Sequence, residues 1–250
     1  MLLPRLFIQL QLRLRREISS RSARRPRRMA QRRNMISFTF DDFPASAVNV
    51  AGAQLHARGL RGTYYAAFGL MNSDWRTGRA FGETELHELA AQGHELGCHT
   101  FAHCHAWDTR PALFERSIVE NGRALAQWLP GATFSSLSYP YSYPRPGIKR
   151  VASRHFACCR GGGPSFNAGE IDLNDLQAFF PEKTQTDFAP VRRIIEQNRL
   201  AGGWLIFAFH QIAENPNRFG VTPAFFADTV SCAIDSGALI LPVSAALAQI

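Results

Sequence analysis

The chain has 250 residues, 46% of them hydrophobic and 19% charged, with a formal net charge of +8. That length supports one sizeable core, and no central stretch reads as a linker. Residues 1–34 hold eleven of the 28 basic residues and one of the 20 acidic ones, leaving 17 against 19 and a body of net −2, so no basic nucleic-acid face is expected of the folded domain.

Residues 1–34 form a basic arm. Leu2, Leu3, Leu6, Phe7, Ile8, Leu10, Leu12 and Leu14 offer an apolar helical surface, interrupted by Arg5, Arg13, Arg15 and Arg16 and followed by a run of arginines. The stretch is too short and too charged to span a bilayer. Its basic residues run through and after the apolar part, and no small-residue cleavage site follows, unlike a secretory signal. Three readings stay open: a disordered tail, an amphipathic segment that touches a membrane surface, or sequence that is not natively translated. Met35, directly before the first strand, favours the third. A cytoplasmic location is expected, and the five irregularly spaced cysteines, read as buried thiols, fit a reducing compartment.

The body, residues 35–250, is expected to be one domain. Residues 36–40 read as a short buried strand, closed by Asp41 and Asp42 before Pro44. Helix is expected over 45–58, strand over 62–68, helix over 83–92 with Gly93 as its C-cap, and strand over 94–98. A long helix over 111–128, a strand over 133–139, a helix over 147–154 and a strand over 156–160 follow. The glycine-rich stretch 161–170 reads as a loop over a site. Helix over 188–200, the very apolar strand 203–209 ending at His210, helix from Pro223 to about residue 236 and strand over 238–241 complete the chain. This alternation predicts parallel strands covered by helices, as a barrel or a doubly wound sheet with a barrel, complete or incomplete, favoured, and polar residues gathered after strand ends.

Asp41 and Asp42 alone would suit a helix N-cap. The pair His99 and His103 changes that reading. Histidines four apart share one face of a helical turn and could hold one ion, with Asp42 adding a carboxylate from a neighbouring strand end. Two imidazoles, one carboxylate and an open fourth position suit a catalytic Zn²⁺ site, although the same donors accept Fe²⁺.

With these residues assembled, the sequence resembles the polysaccharide deacetylases, the NodB homology domain of carbohydrate esterase family four, over about residues 35–245. Thr39-Phe40-Asp41-Asp42 and His99-Thr100-Phe101-Ala102-His103 are similar to its first two motifs, and Pro140-Tyr141 to its third. Phe207-Ala208-Phe209-His210, with Gly220-Val221-Thr222-Pro223 and Phe226, is similar to its last histidine motif and the helix after it. The resemblance implies a distorted (β/α) barrel and a hydrolase that uses a divalent metal, Zn²⁺ first, to remove an acetyl group from an N- or O-acetylated sugar, glycan or glycolipid. It implies that Asp42, His99 and His103 bind the metal, and that Asp41 is the base for the attacking water. His210 would be the acid for the leaving group, and the Tyr141 backbone N–H an oxyanion donor. Ser138 stands where relatives often carry an arginine, with Arg160 as a substitute for orienting Asp41. Gln211 stands where many carry an acid, and Asp172 or Asp175 are the candidates for tuning His210. The alternatives are a non-sugar amide or cyclic ureide substrate, left open by few tryptophans near the strand ends, and a non-catalytic carbohydrate-binding relative.

Overall fold

Among the described residues, seven parallel strands build the main sheet: β1 (Met35–Asp41), β2 (Thr63–Ala66), β3 (Glu95–Cys98), β4 (Ser136–Ser138), β5 (Cys158–Arg160), β6 (Trp204–Phe209) and β7 (Leu239–Ile240). The computed structural model describes residues 2–30, 32–184 and 187–250, with side chains from residue 9 onward. The strand order is β6-β1-β2-β3-β4-β5, with β7 paired to the start of β1. β1 is the seam on which both halves meet. All seven of its residues are buried, as expected of a strand covered on both faces.

Alternation along β1 feeds two cores. Ile36, Phe38 and Phe40 join the helix-facing cluster with Val48, Leu55, Val191 and Phe226. Phe38 stacks on Phe207 at 5.6 Å and meets Phe226 edge-on at 5.8 Å; truncating such a ring to alanine typically costs about 3–5 kcal/mol. Met35 faces the barrel interior with Trp204, Ile206, Ala208, Leu176 and Ala178. Trp204 Nε1 donates to Ser37 Oγ there at 2.9 Å, so the one polar atom of the ring is satisfied in the core.

The sheet curls, and an irregular segment closes the gap between its edge strands. On the β5 side, Cys159 N–H donates to Leu173 O, Leu176 N–H to Cys159 O and Gly161 N–H to Leu176 O. On the β6 side, Phe179 N–H donates to Ile206 O and Ala208 N–H to Phe179 O. Asn167 bolts this closure, giving its amide N–H groups to Gln177 O and Trp204 O and accepting from Gln177 N–H. The barrel is therefore distorted, as expected, with residues 173–179 standing in for regular strand.

Among the described residues, eight α-helices flank the sheet: α1 (Leu2–Arg21), α2 (Ala53–His56), α3 (Glu83–Ala91), α4 (Pro111–Trp128), α5 (Pro146–His155), α6 (Ala189–Ala201), α7 (Pro223–Asp235) and α8 (Val243–Leu247). Proline opens α4, α5 and α7 at a first-turn position, where its missing N–H costs nothing. Thr222 Oγ1 caps α7 by accepting from Phe225 N–H. Gly202, in the left-handed region at φ +60°, ends α6. The helix expected over 45–58 begins as wider π turns, Ala47–Gly52, before α2.

Of the three readings of residues 1–34, the described part takes an ordered form here. Besides α1, Pro26–Arg28 pairs antiparallel with Glu170–Asp172. Ser19 Oγ donates to Asp175 Oδ2 at 2.6 Å, and the fully buried Lys149 donates to Ser19 O and to Asp172 Oδ2. The Arg25 guanidinium donates to the carbonyls of Phe156 and Ala157. Arginines that look like a solvated tail in sequence are here donors to backbone oxygens and carboxylates that the body would otherwise leave unpaired.

Candidate active site

Asp41 follows the inward alternation of Met35, Ser37 and Thr39. Asp42 would face the helices by the same rule, but its backbone sits at φ +57°, and both carboxylates line one cavity of about 590 Å³. A non-glycine residue in that region costs roughly 1–2 kcal/mol. Thr100, His103, Tyr141, Ser142 and Tyr143 share the left-handed conformation, so the site loops hold a concentration of strain.

His99 and His103 do not lie on a helical turn, as expected from their spacing. The chain after β3 is an irregular turn with Thr100 and His103 at φ +57° and +47°. α4 pins it: Phe101 N–H donates to Ser117 O and Ala102 N–H to Ser117 Oγ. Gly69 lets the neighbouring turn approach, since a Cβ there would lie 2.5 Å from Phe101 O. The two imidazoles still meet, with ring centroids 4.9 Å apart. Their Nε2 atoms lie 3.5 Å (His99) and 3.0 Å (His103) from Asp42 Oδ1.

The tautomer of His99 decides what this cluster is. Its Nδ1 lies 2.8 Å from the carbonyl oxygen of Ser138, which can only accept, so Nδ1 carries the proton. Burial pushes the imidazole pKa down to about 4, so the ring is neutral and Nε2 presents a bare lone pair. Burial works against an ionised Asp42, but the hydrogen bond and charge of His103, with His99 and His210, outweigh it and keep the carboxyl well below the usual range. Asp42 Oδ1 lies within 3.5 Å of both Nε2 atoms. The bare lone pair of His99 Nε2 and the Asp42 oxygen repel unless a cation sits between them, and two imidazoles with one carboxylate are the donor set of a zinc-type site. The three donor atoms lie within 4.8 Å of one another. These residues fit a divalent metal.

Asp41 is held by Arg160, whose Nη2 donates to Asp41 Oδ1 and to Ser138 Oγ. Burial opposes its charge, but the guanidinium, with His99 and His210, lowers its pKa from the ordinary value. Tyr65 and Phe180 flank the guanidinium at 5.2 and 5.8 Å. His210 is at the end of β6, and Glu182 Oε1 lies 3.6 Å from its Nδ1. Burial disfavours the imidazolium, but Glu182 and the carboxylates of Asp41 and Asp42 outweigh it and lift the pKa to about 9. Tyr141 is 44% exposed and stacks on His105 at 4.5 Å. Its N–H has no hydrogen-bond partner among the described residues.

A family model described as polysaccharide deacetylase matches residues 28–155, just over half of the sequence. The chain belongs to the polysaccharide deacetylase family. Among solved structures it is similar to a family 4 carbohydrate esterase from Streptomyces lividans in complex with acetate. That pair is 15% identical, covers 83% of this chain and 91% of that one, and has a TM-score of 0.56. A mutant of BA3943, described as a CE4 family pseudoenzyme with restored enzymatic activity, is 10% identical over 86% of this chain and 68% of that one, with a TM-score of 0.58. IcaB from Ammonifex degensii is 22% identical over 49% of this chain, with a TM-score of 0.45, and the match spans 57% of its length. No curated protein matches the sequence significantly.

For a polysaccharide deacetylase, the departures in this chain are informative. Arg160 on β5 reaches Asp41 across Ser138, so the guanidinium comes from the neighbouring strand rather than from the third motif. Asp172 and Asp175 do not serve His210. They hold Lys149 beneath α1, and Glu182, in the 3-10 turn Pro181–Thr184, takes their expected place. Gln211 supports its own loop, accepting from Asn217 N–H at 2.9 Å. Cys98 is buried beside Asn121 and burial pushes its thiol up to about 12, so it is an inert structural thiol. The aromatic wall was hidden in sequence. Tyr139, Tyr141, Tyr143, Phe179, Phe180 and Phe219 line the cavity.

Proposed function

We propose that this family member is a metal-dependent hydrolase that removes an acetyl group from an N- or O-acetylated sugar, glycan or glycolipid. The observation that carries the reading is one ionised Asp42 oxygen within 3.5 Å of both the bare His99 Nε2 and the His103 Nε2. A divalent ion held by Asp42, His99 and His103, with Zn²⁺ as the first choice, would polarise the acyl oxygen and lower the pKa of water from 15.7 to about 7. That lowering lets Asp41, a weak base when fixed by Arg160, accept the proton of the attacking water. The Tyr141 N–H faces the developing oxyanion, a role typically worth about 3–4 kcal/mol. His210, protonated at neutral pH, gives its proton to the departing nitrogen or oxygen, leaving acetate and a free amine or hydroxyl.

The test is acetate release from N-acetylglucosamine oligomers by metal-loaded protein, with and without chelator, beside Asp41→Asn and His99→Ala. Loss of activity on chelation and in both variants is expected, with bound metal lost only in His99→Ala. Turnover that survives chelation would overturn the reading. A pure binder of the pseudoenzyme kind is disfavoured because Asp41 and His210 line the same cavity as the three donors, and a cyclic ureide is disfavoured by the aromatic wall. α1 leaves Leu10, Leu12 and Leu14 exposed beside Arg13 and Arg16, which supports a contact with an anionic membrane surface; flotation with phosphatidylglycerol vesicles tests it, and no co-flotation removes it.

A further inference from the structure

The floor of the cavity is acidic but spoken for: Asp41 pairs with Arg160, Asp42 faces the two imidazoles, and Glu182 faces His210. Its mouth is different. Arg16 from α1, Arg76 from the turn between Trp75 and Gly78, and Lys183 from the 3-10 turn all line the cavity. All three are exposed, and none forms an ion pair among the described residues. Most of the arginines around Arg16 in the same segment do find acceptors: Arg15 reaches Asp108, Arg21 Glu17, Arg24 Glu170 and Arg27 the Ile250 carbonyl.

Two of these cations are positioned by aromatic rings that also face the reacting groups. The Arg76 guanidinium lies 4.8 Å over Trp75 and 5.1 Å over Tyr141, and its Nη2 donates to the Tyr141 hydroxyl. Lys183 Nζ lies 4.9 Å over Phe180, the ring that stacks on His210 at 6.2 Å. Cation–π contact orients a charge without neutralising it. Three cations from three distant parts of the chain, brought to one mouth and left without counter-ions, form a receptor for negative charge. Arginine forks in particular match the oxygens of phosphate and carboxylate.

We propose that the acetylated saccharide carries an anionic substituent, a phosphate or a carboxylate, close to the acetylated ring, and that Arg16, Arg76 and Lys183 hold it. The N-terminal helix is thereby part of the substrate site. This rests on the deacetylase reading of the cavity floor and adds the class of sugar admitted.

The experiment uses the full-length, metal-loaded protein and four probes. They are methyl N-acetylglucosaminide, N-acetylglucosamine 1-phosphate, an N-acetylglucosamine–glucuronate disaccharide, and polyprenyl-diphosphate-linked N-acetylglucosamine in phosphatidylcholine vesicles. Binding and acetate release are both measured, at 20 and 500 mM salt. At least one anionic probe is expected to bind about tenfold or more tightly than the neutral one at low salt, with the gap narrowing at high salt. Arg16→Ala, Arg76→Ala and Lys183→Ala should each narrow it several-fold, the triple variant should erase it, and Arg16→Lys should restore part of it. Melting curves establish that the variants fold. Which anionic probe wins separates a soluble phosphate or carboxylate from a lipid-linked one. Equal binding of neutral and anionic probes, or a preference that survives in the triple variant, overturns the proposal. Acetate release without an anionic preference sinks the anion site alone; an Arg16-dependent preference without acetate from any probe sinks the deacetylase reading alone.

Discussion

At the scale of single residues, the proposed acid and the proposed base are each tied to a counter-charge, His210 to Glu182 and Asp41 to Arg160. His210 is kept protonated to about pH 9 by Glu182, Asp41 and Asp42 against the effect of burial. A group that must donate its proton loses activity as pH rises through its own pKa. A bound cation opposes the imidazolium, so the alkaline limb of kcat/KM is expected at or below about 9. Glu182→Gln removes the nearest counter-charge and should move that limb downward by at least one pH unit, with the bound metal unchanged; a limb that stays put assigns it to another group. Arg160 acts on the opposite partner. Arg160→Met strips Asp41 of its guanidinium and should lower kcat by roughly 10²–10³-fold, the range typical of losing a fixed catalytic contact. KM should change little, because Arg160 is buried behind the carboxylate rather than at the mouth.

Much of this was legible in the residues themselves. Asp41 and Asp42 at the end of an apolar strand, and His99 with His103, are chemical types at informative spacings. Arg160 was legible as a substitute because it ends the next strand, and in-register parallel strands put such ends side by side. Glu182 was not. It acts across space from a short turn with no periodic signal, and nothing in its sequence neighbourhood distinguishes it from Asp172 or Asp175. Those two were drawn instead to Lys149, whose partner beneath α1 no spacing rule reveals.

At the scale of elements, strands and helices of the body followed from period, proline and glycine, because each buries an apolar face against the sheet. The exceptions have physical causes. The π winding at Ala47–Gly52 keeps the same apolar face as an α-helix over so short a run, and the His99–His103 turn takes its shape from Ser117 on α4 rather than from its own propensity. α1 is the largest departure. Its ordered contacts include Ser19 O, which accepts from the buried Lys149 beside Asp172. Deleting residues 1–34 uncovers Lys149, Asp172 and Asp175 and strands the acceptors of Arg25. A loss of about 3–5 kcal/mol is expected from breaking such a buried cluster, and at about 2–4 °C per kcal/mol in a chain of this size Tm should fall by roughly 6–20 °C. A truncated protein starting at Met35 that melts with the full chain would return the segment to the status of a dispensable arm.

At the scale of the whole molecule, the barrel is completed by segment 173–179, and that closure links stability to chemistry. Its far end leads through Phe179 and Phe180 to Glu182, so the same stretch that seals the wall sets the charge on His210. Alternation could not reveal it, since the segment pairs with β5 and β6 through scattered hydrogen bonds rather than a ladder. Asn167 is its fastener. The side chain is 4% exposed and makes three hydrogen bonds between the closing segment and β6. Asn167→Ala leaves Gln177 N–H and Gln177 O without their partners, and unsatisfied buried groups cost about 1–3 kcal/mol each. Asn167→Asp keeps the acceptor for Gln177 N–H but removes the two donors. Alanine is therefore expected to lower Tm by roughly 4–24 °C at about 2–4 °C per kcal/mol, and amide exchange in residues 161–184 should rise well before global unfolding. Because Glu182 moves with this segment, the alkaline limb of the pH profile should shift in the same direction as in Glu182→Gln, although no catalytic side chain has been altered. Faster exchange with an unmoved limb would mean that the wall and the acid are independent, and that Glu182 is held in place by the 3-10 turn alone.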